Sequence, residues 1–317
     1  MVLSATGLRR RFGKVTAVDG LDLTVRAGEV YGFLGVNGAG KTTTIRMLMG
    51  IIARDAGALE LFGEPTERTT LEQKRRIGYV SQEQNFYPWM TCAGLGKFVG
   101  GFYPTWDAEE FARLLRIFLL PPERKASELS GGMRLKLALA LALAHRPELL
   151  IFDEPTAGLD PVARREFLDL VQAHGREAGR AMLFSSHLID EVQRLAGRVG
   201  ILHAGRMRYE GSLSDLLASV RRVRVRAPTT RGDLMQWARS RRGAAVGGSS
   251  GTAGPTQPAF PTGARVLQEK QGAAGREWVV MAPPAAWNSD ICNSAVVEAM
   301  SLEDIFISVV GAEPVAA

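Results

Sequence analysis

Gly35-Val36-Asn37-Gly38-Ala39-Gly40-Lys41-Thr42-Thr43 is the stretch that decides the fold. It follows an apolar run at 30–34 and precedes a helical pattern ending near Met49. Strand, glycine-rich turn and helix, in that order, make a phosphate-binding loop of the form G-x-x-x-x-G-K-[ST]. Gly35, Gly38 and Gly40 let the backbone turn tightly and approach an oxygen with no Cβ in the way. The freed N–H groups of the loop, Asn37 and Ala39 included, form a concave anion nest. The helix beginning near Lys41 adds the positive end of its dipole. Lys41 is expected to reach the β- and γ-phosphates of a nucleoside triphosphate. The hydroxyl of Thr42, beside Thr43, is expected to ligate Mg²⁺.

Downstream, Leu149-Leu150-Ile151-Phe152-Asp153-Glu154-Pro155 reads as an apolar strand ending in two acids. Four consecutive apolar residues point to a central strand buried on both faces. Asp153 would then lie at the strand end facing the phosphates, placed to hold Mg²⁺ directly or through water. Glu154 is placed to orient an attacking water or accept its proton.

Apolar runs at 30–34, 77–80, 149–152 and 181–185 alternate with helical patterns over residues 1 to about 218. Each run is followed by polar or glycine-rich residues, where ligands of open α/β sheets bind. This predicts an α/β domain on a largely parallel sheet. Between about 83 and 130 the pattern turns helical, with Phe111, Leu114, Leu115, Phe118 and Leu119 on one face. Residues 219–317 read as a small α+β appendage. It holds a flexible linker at about 243–264, rich in Gly, Ser, Thr and Pro, flanked by apolar runs at 223–225 and 278–281. A terminal amphipathic helix carries Leu302, Ile305, Phe306 and Val309.

Composition narrows the class. Apolar residues make up 46% of 317, enough for a sizeable core. The longest apolar stretch, within 135–144, is interrupted by Lys136 and falls well short of the ~20 residues of a spanning helix. The start, MVLSATGLRRRFG, has no apolar core after its basic residues, so no signal peptide is expected. Cys92 and Cys292 are the only cysteines, too few and too far apart for a disulfide framework or zinc site. The net charge of +6 is concentrated in Arg221, Arg222, Arg224, Arg226, Arg231, Arg239, Arg241 and Arg242. That run reads as a solvated basic face, with anionic lipid or nucleic acid as the alternative.

With these motifs in place the chain resembles the ABC ATPase family. Leu129-Ser130-Gly131-Gly132-Met133 resembles its LSGGQ signature. Gln82 in YVSQ looks like the Q-loop glutamine, Ala157-Gly158-Leu159-Asp160 like the D-loop, and His187 in SSH like the switch histidine. Phe12 stands where the family places the aromatic residue that stacks on adenine. The resemblance covers about 1–218. It is nearer still to the ATPase subunits of ABC-2-type exporters, by residues 132–161, FYPTWD at 102–107 and SLEDIF at 301–306. Within that group, the antibiotic export and resistance subfamily is nearest. Two departures stand out. Met133 replaces the signature glutamine, and Phe12 the commoner tyrosine.

The resemblance implies an ATP-hydrolysing, cytoplasmic subunit, peripheral on the inner face of the cell membrane, that powers export through a separate permease. It implies a head-to-tail dimer, homo- or heteromeric, with each ATP held between one chain's loop and the other chain's Leu129–Gly132 signature. Ser130 is placed as an N-cap, and Gly131 and Gly132 present a second phosphate receptor at a helix start. Glu154, His187 and Gln82 become catalytic residues, Gln82 also a metal ligand with Thr42 and Asp153, and Asp160 the D-loop acid. The insertion, with Tyr87, Pro88 and Trp89, would meet the permease. An importer ATPase is the runner-up. A soluble ABC ATPase acting on ribosomes or DNA is the other-class reading, and nucleic acid is not expected: only one cassette is present and no sustained heptads separate its motifs.

Overall fold

The computed structural model describes residues 1–175, 179–226, 260–261, 263–272, 275–288 and 295–312. The chain divides into two compact units, Met1–Leu213 and Ser214–Ala317.

In the first unit the strands are β1 (Leu3–Phe12), β2 (Val15–Val25), β3 (Val30–Gly35), β4 (Ala56–Leu61), β5 (Glu64–Pro65), β6 (Ile77–Val80), β7 (Leu149–Asp153), β8 (Ala181–Ser186), β9 (Arg198–His203) and β10 (Arg206–Ser212). The helices are α1 (Lys41–Leu48), α2 (Leu71–Arg75), α3 (Cys92–Gly100), α4 (Ala108–Ile117), α5 (Gly131–Leu143), α6 (Pro161–Leu170) and α7 (Ile189–Leu195). The larger sheet runs β10-β9-β3-β8-β7-β6. Its neighbours are parallel except for the β9–β10 pair. β3, β7 and β8 are buried along their whole length, which is why they read as unbroken apolar runs. Parallel pairing puts the carboxyl ends of these three central strands side by side. The loop after β3, the acids after β7 and the serines ending β8 therefore share one edge.

A second, antiparallel sheet, β2-β1-β4-β5, accompanies the first. One hydrophobic cluster joins Leu3, Leu8, Leu23 and Leu61 of this sheet to Phe33, Ile45, Leu149 and Leu183. Another joins Leu95, Phe111, Leu114 and Phe118 of the helical insertion to Leu137, Phe152, Phe167 and Phe184. Full burial of each such side chain contributes about 1.5–3 kcal/mol. Phe152 packs against Phe167 and Phe184 with ring centroids 6.1 and 5.5 Å apart, which fixes the strand immediately behind the two acids.

The insertion is helical over α3 and α4, with a short 3-10 turn at Ala126–Glu128. Leu119 departs from the expected apolar face. α4 ends at Ile117, Leu119 turns into the left-handed region at φ 57°, and its side chain is 81% exposed. The helical spacing outlasts the helix there. Asp107 starts α4 by accepting a hydrogen bond from the Glu110 N–H at 2.8 Å.

The second unit holds α8 (Leu213–Ser219, beginning at the end of the first unit), β11 (Val220–Arg226), β12 (Arg265–Gly272), β13 (Gly275–Met281), β14 (Ala295–Ala299) and α9 (Leu302–Gly311). Its sheet order is β12-β13-β11-β14, all antiparallel. Val223 pairs in register with Trp278, and both are buried with Val225 and Val280. Arg222 lies against Glu277 and Asp304, and Arg224 against Glu277 and Glu298. This part of the basic run is neutralised within its own sheet and helix. Leu302, Ile305, Phe306 and Val309 of α9 are buried. Most of the linker expected over 243–264 lies outside the described residues, as do Arg231, Arg239, Arg241, Arg242 and Cys292. Among the described residues no helix is long and apolar enough to cross a membrane.

Candidate active site

The loop after β3 closes on a glycine that no other residue can replace without displacement. Gly40 has φ 109°, and a Cβ built on it would stand 2.4 Å from the Ala17 carbonyl oxygen. Gly38 is also left-handed, at φ 79°. Asn37 is exposed and Ala39 buried, while the Ala39 carbonyl accepts from the Gly205 N–H at 2.9 Å. α1 starts at Lys41 on the Gly40 N-cap, which puts the positive end of the helix at the loop. The Ala39 N–H does not stand free as expected: it donates to the Val36 carbonyl at 3.1 Å within the loop.

Lys41 is buried at 3% exposure. Its Nζ donates to the carbonyls of Gly35 at 2.7 Å and Val36 at 3.1 Å, and meets Glu154 Oε1 at 2.9 Å. Glu154 has φ 44°, a left-handed conformation that costs an L residue roughly 1–2 kcal/mol. Its surroundings hold it there. The Glu154 N–H donates to Ser185 Oγ at 3.0 Å, and its second carboxylate oxygen lies 2.7 Å from His187 Nδ1. A carboxylate only accepts, so Nδ1 carries the proton of that bond and Nε2 is left as the imidazole's other face.

Asp153, at the end of β7, accepts on Oδ1 from the Thr42 hydroxyl at 3.0 Å and the Ser185 hydroxyl at 3.2 Å. Ser185 thus links the two acids, accepting from one and donating to the other. The two carboxyls are pushed in opposite directions. Burial raises Asp153 above its ordinary range, against the pull of the Thr42 and Ser185 hydroxyls. Burial also works to raise Glu154, but the Lys41 ammonium and His187 outweigh it and hold that carboxyl below its ordinary range.

Of the residues expected at the site, Gly35, Lys41, Thr42, Asp153, Glu154 and His187 are brought together by these contacts. Thr43 is half-buried in the first turn of α1. Gln82 is exposed just beyond β6, and its carbonyl accepts from Gln84 Nε2 at 3.3 Å. Phe12, at the end of β1, is 46% exposed, with the Arg10 guanidinium 4.8 Å over one ring face. Ser130 caps α5 by accepting from the Met133 N–H at 3.3 Å. Asp160 caps α6 by accepting from the N–H groups of Val162 and Ala163 at 2.9 and 3.0 Å. Leu129 is buried, Gly131 is exposed and Gly132 half-buried. A Cβ on Gly131 would meet Leu159 at 3.4 Å, so the signature and the Asp160 loop are neighbours. Among the described residues no hydrogen bond ties Ser130 to the Lys41 cluster of its own chain.

Sequence reasoning missed Ser185 and Glu191. Ser185 was legible only as part of the SSH string. Glu191 is buried and binds Thr156, 35 positions away in the chain, so only the pairing of β7 with β8 reveals it.

A phosphate loop on a central parallel strand, with paired acids at the end of the next strand but one, defines an α/β P-loop nucleoside triphosphatase. Residues 18–157 match the ABC transporter family profile. Over 221 residues the chain is 40% identical to the Nod factor export ATP-binding protein I of Paraburkholderia xenovorans, covering 67% of this chain and 71% of that one. It is 38% identical over 214 residues to the bacitracin transport ATP-binding protein BcrA of Bacillus licheniformis, covering 66% and 69%. With the linearmycin resistance ATP-binding protein LnrL of Bacillus subtilis it shares 36% over 220 residues, covering 68% and 70%. A solved ATP-binding subunit of an ABC transporter aligns with a TM-score of 0.62 at 27% identity, covering 68% of this chain and 92% of that one. A dimeric bacterial ABC transporter cassette shares the fold, with a TM-score of 0.60 at 21% identity and coverage of 67% and 99%. The chain belongs to the ABC transporter ATP-binding family. It is an ATP-binding, ATP-hydrolysing subunit of the exporter type.

Proposed function

We propose that Glu154 is the general base of ATP hydrolysis here. The observation that carries this is its carboxylate bridging Lys41 at 2.9 Å and His187 at 2.7 Å beside the phosphate loop. Held ionised by those two partners, Glu154 can take a proton from water as the water oxygen attacks the γ-phosphorus and ADP leaves. Lys41 and the loop N–H groups bind the phosphates, and His187 holds Glu154 in place and faces the γ-phosphate. Phe12 offers its free ring face to adenine.

Magnesium fits this donor set. Thr42 Oγ1 and Asp153 Oδ1 are oxygen donors 3.0 Å apart, and among the described residues no cluster of three or more His, Cys, Asp or Glu is gathered. So sparse a protein set suits an ion that keeps water and phosphate oxygens as its other ligands. When bound, it neutralises charge on the β- and γ-phosphates. Gln82, at the exposed end of β6, is the residue that would complete the site on closure.

Two such chains, or this chain and a paralogue, close head to tail so that Ser130 to Gly132 of one reach the nucleotide of the other. The permease is a separate polypeptide, and the ATPase sits on the inner face of the membrane. The helical insertion supports that partner. Trp89, Tyr87, Phe98 and Phe102 are all exposed and, in that order, form a continuous aromatic ladder, with successive centroids 5.2, 5.7 and 5.4 Å apart. An apolar ladder of this kind suits an amphipathic cytoplasmic helix of the permease. The nucleic-acid reading loses support because Arg222 and Arg224 are ion-paired internally.

The deciding experiment is Glu154→Gln. ATP turnover is expected to fall at least about a hundredfold, while ATP binding persists and a closed, ATP-bound dimer accumulates in size-exclusion chromatography. Unchanged steady-state turnover would remove Glu154 from this role.

A further inference from the structure

Glu191, in the first turn of α7, is 2% exposed. Its Oε1 accepts from the Thr156 hydroxyl at 2.5 Å and its Oε2 from the Ser186 hydroxyl at 2.6 Å. Ser186 Oγ in turn accepts from the Leu188 N–H at 2.9 Å. Arg164 Nε, on α6, lies 3.6 Å from Oε1. Thr156 stands two positions after Glu154, Ser186 immediately before His187, and Arg164 one helical turn after Asp160. The Arg164 N–H donates to the Asp160 carbonyl at 3.0 Å. One buried carboxylate therefore gathers three segments: the one carrying Glu154, the one carrying His187 and the one that follows Asp160.

An apolar residue of similar volume would fill this space at lower desolvation cost. The carboxylate adds direction instead. It is the acceptor in both bonds, so both hydroxyls point at it, and each fixes the segment it belongs to. The 2.7 Å contact of Glu154 with His187 joins side chains on two of those segments, so its geometry depends on their spacing. We propose that Glu191 is a positioning residue for hydrolysis, setting the distance between Glu154 and His187 through Thr156 and Ser186. This rests on the base role given to Glu154.

The test uses the full chain with Glu191→Gln, Ser186→Ala and the double variant, with Glu154→Gln as control. Glutamine keeps the shape but offers one accepting oxygen, so one hydroxyl loses its acceptor. The expected result is a kcat about tenfold lower for each single variant, with KM for ATP within about twofold of wild type. The double variant should be no more than about twofold below the worse single one, because both changes break the same link. Thermal melts give the folded fraction, and Ser186→Ala carries the test if Glu191→Gln does not fold. A wild-type kcat per folded molecule in either single variant, or fully multiplicative losses in the double, would overturn the proposal. Were Glu154→Gln itself active, the base assignment would fail first. An inactive Glu154→Gln beside fully active Glu191→Gln and Ser186→Ala would sink the positioning role alone.

Discussion

The Lys41 ammonium meets the Glu154 carboxylate at 2.9 Å, with 3% and 10% of the two side chains exposed. This pair joins the phosphate loop to the strand end that carries the two acids within one chain, and its disruption has two separable consequences.

Lys41→Ala is expected to abolish ATP binding, measured by calorimetry, because the loop loses its only side-chain cation. It also removes the first charge that holds Glu154 below its ordinary value of 4.5. A depressed acid contributes stability that is fully present above its unfolded pKa and lost as pH falls through the folded one. The variant should therefore melt at lower temperature than wild type near neutral pH, and the gap should narrow on acidification below about pH 4. Tight ATP binding by the variant would refute the loop's assignment.

Asp153 has the opposite sign. Burial raises it above its ordinary 3.8, so its ionisation costs stability as pH rises from that value through the raised one. Asp153→Asn keeps an acceptor for Thr42 and drops the buried charge. It is expected to melt at a higher temperature than wild type near pH 7, with the advantage shrinking toward pH 4. Mg²⁺-dependent ATP turnover should be lost in the same variant. A lower melting temperature at neutral pH would show that the charge is already compensated.

The central site was legible because its physics is local in sequence. β3, β7 and β8 are buried on both faces, so their apolar runs are unbroken, and their polar ends are marked by glycines, acids and serines. The antiparallel sheet β2-β1-β4-β5 was not legible. β1 alternates buried and exposed residues irregularly, with register shifts after Ala5, Leu8 and Arg10, so no clean period survives. Leu119 misled because a helical spacing continues one step past the end of α4. Glu191 was invisible because its hydroxyl partners lie in the turn after β7 and at the end of β8, set together only by the β7–β8 register.

Phe12 makes a separate prediction about affinity. Arg10 covers one ring face and is itself pinned by Asp55 at 2.8 Å. That leaves the other face for a base, and stacking of this kind is worth about 1–3 kcal/mol. Phe12→Ala should raise KM for ATP roughly tenfold with kcat unchanged, while Phe12→Tyr, which keeps the π-face, should match wild type. A KM for Phe12→Ala within twofold of wild type would take adenine away from this ring.

The trans role of Ser130 can be tested by complementation. Within one chain Ser130 caps α5 through the Met133 N–H, and among the described residues no hydrogen bond ties it to that chain's own Lys41. If its partner nucleotide sits on a second molecule, Ser130→Ala should leave ATP binding by the monomer intact and abolish ATP-dependent association. Lys41→Ala should abolish association as well, for lack of nucleotide. A head-to-tail dimer formed from one chain of each kind has one site with both defects and one with neither. The intact site combines the loop of the Ser130→Ala chain with the signature of the Lys41→Ala chain. An equimolar mixture should therefore regain ATP-dependent association, seen by sedimentation velocity, although neither variant associates alone. No recovery, with both variants folded, would place the action of Ser130 within its own chain and end the head-to-tail arrangement.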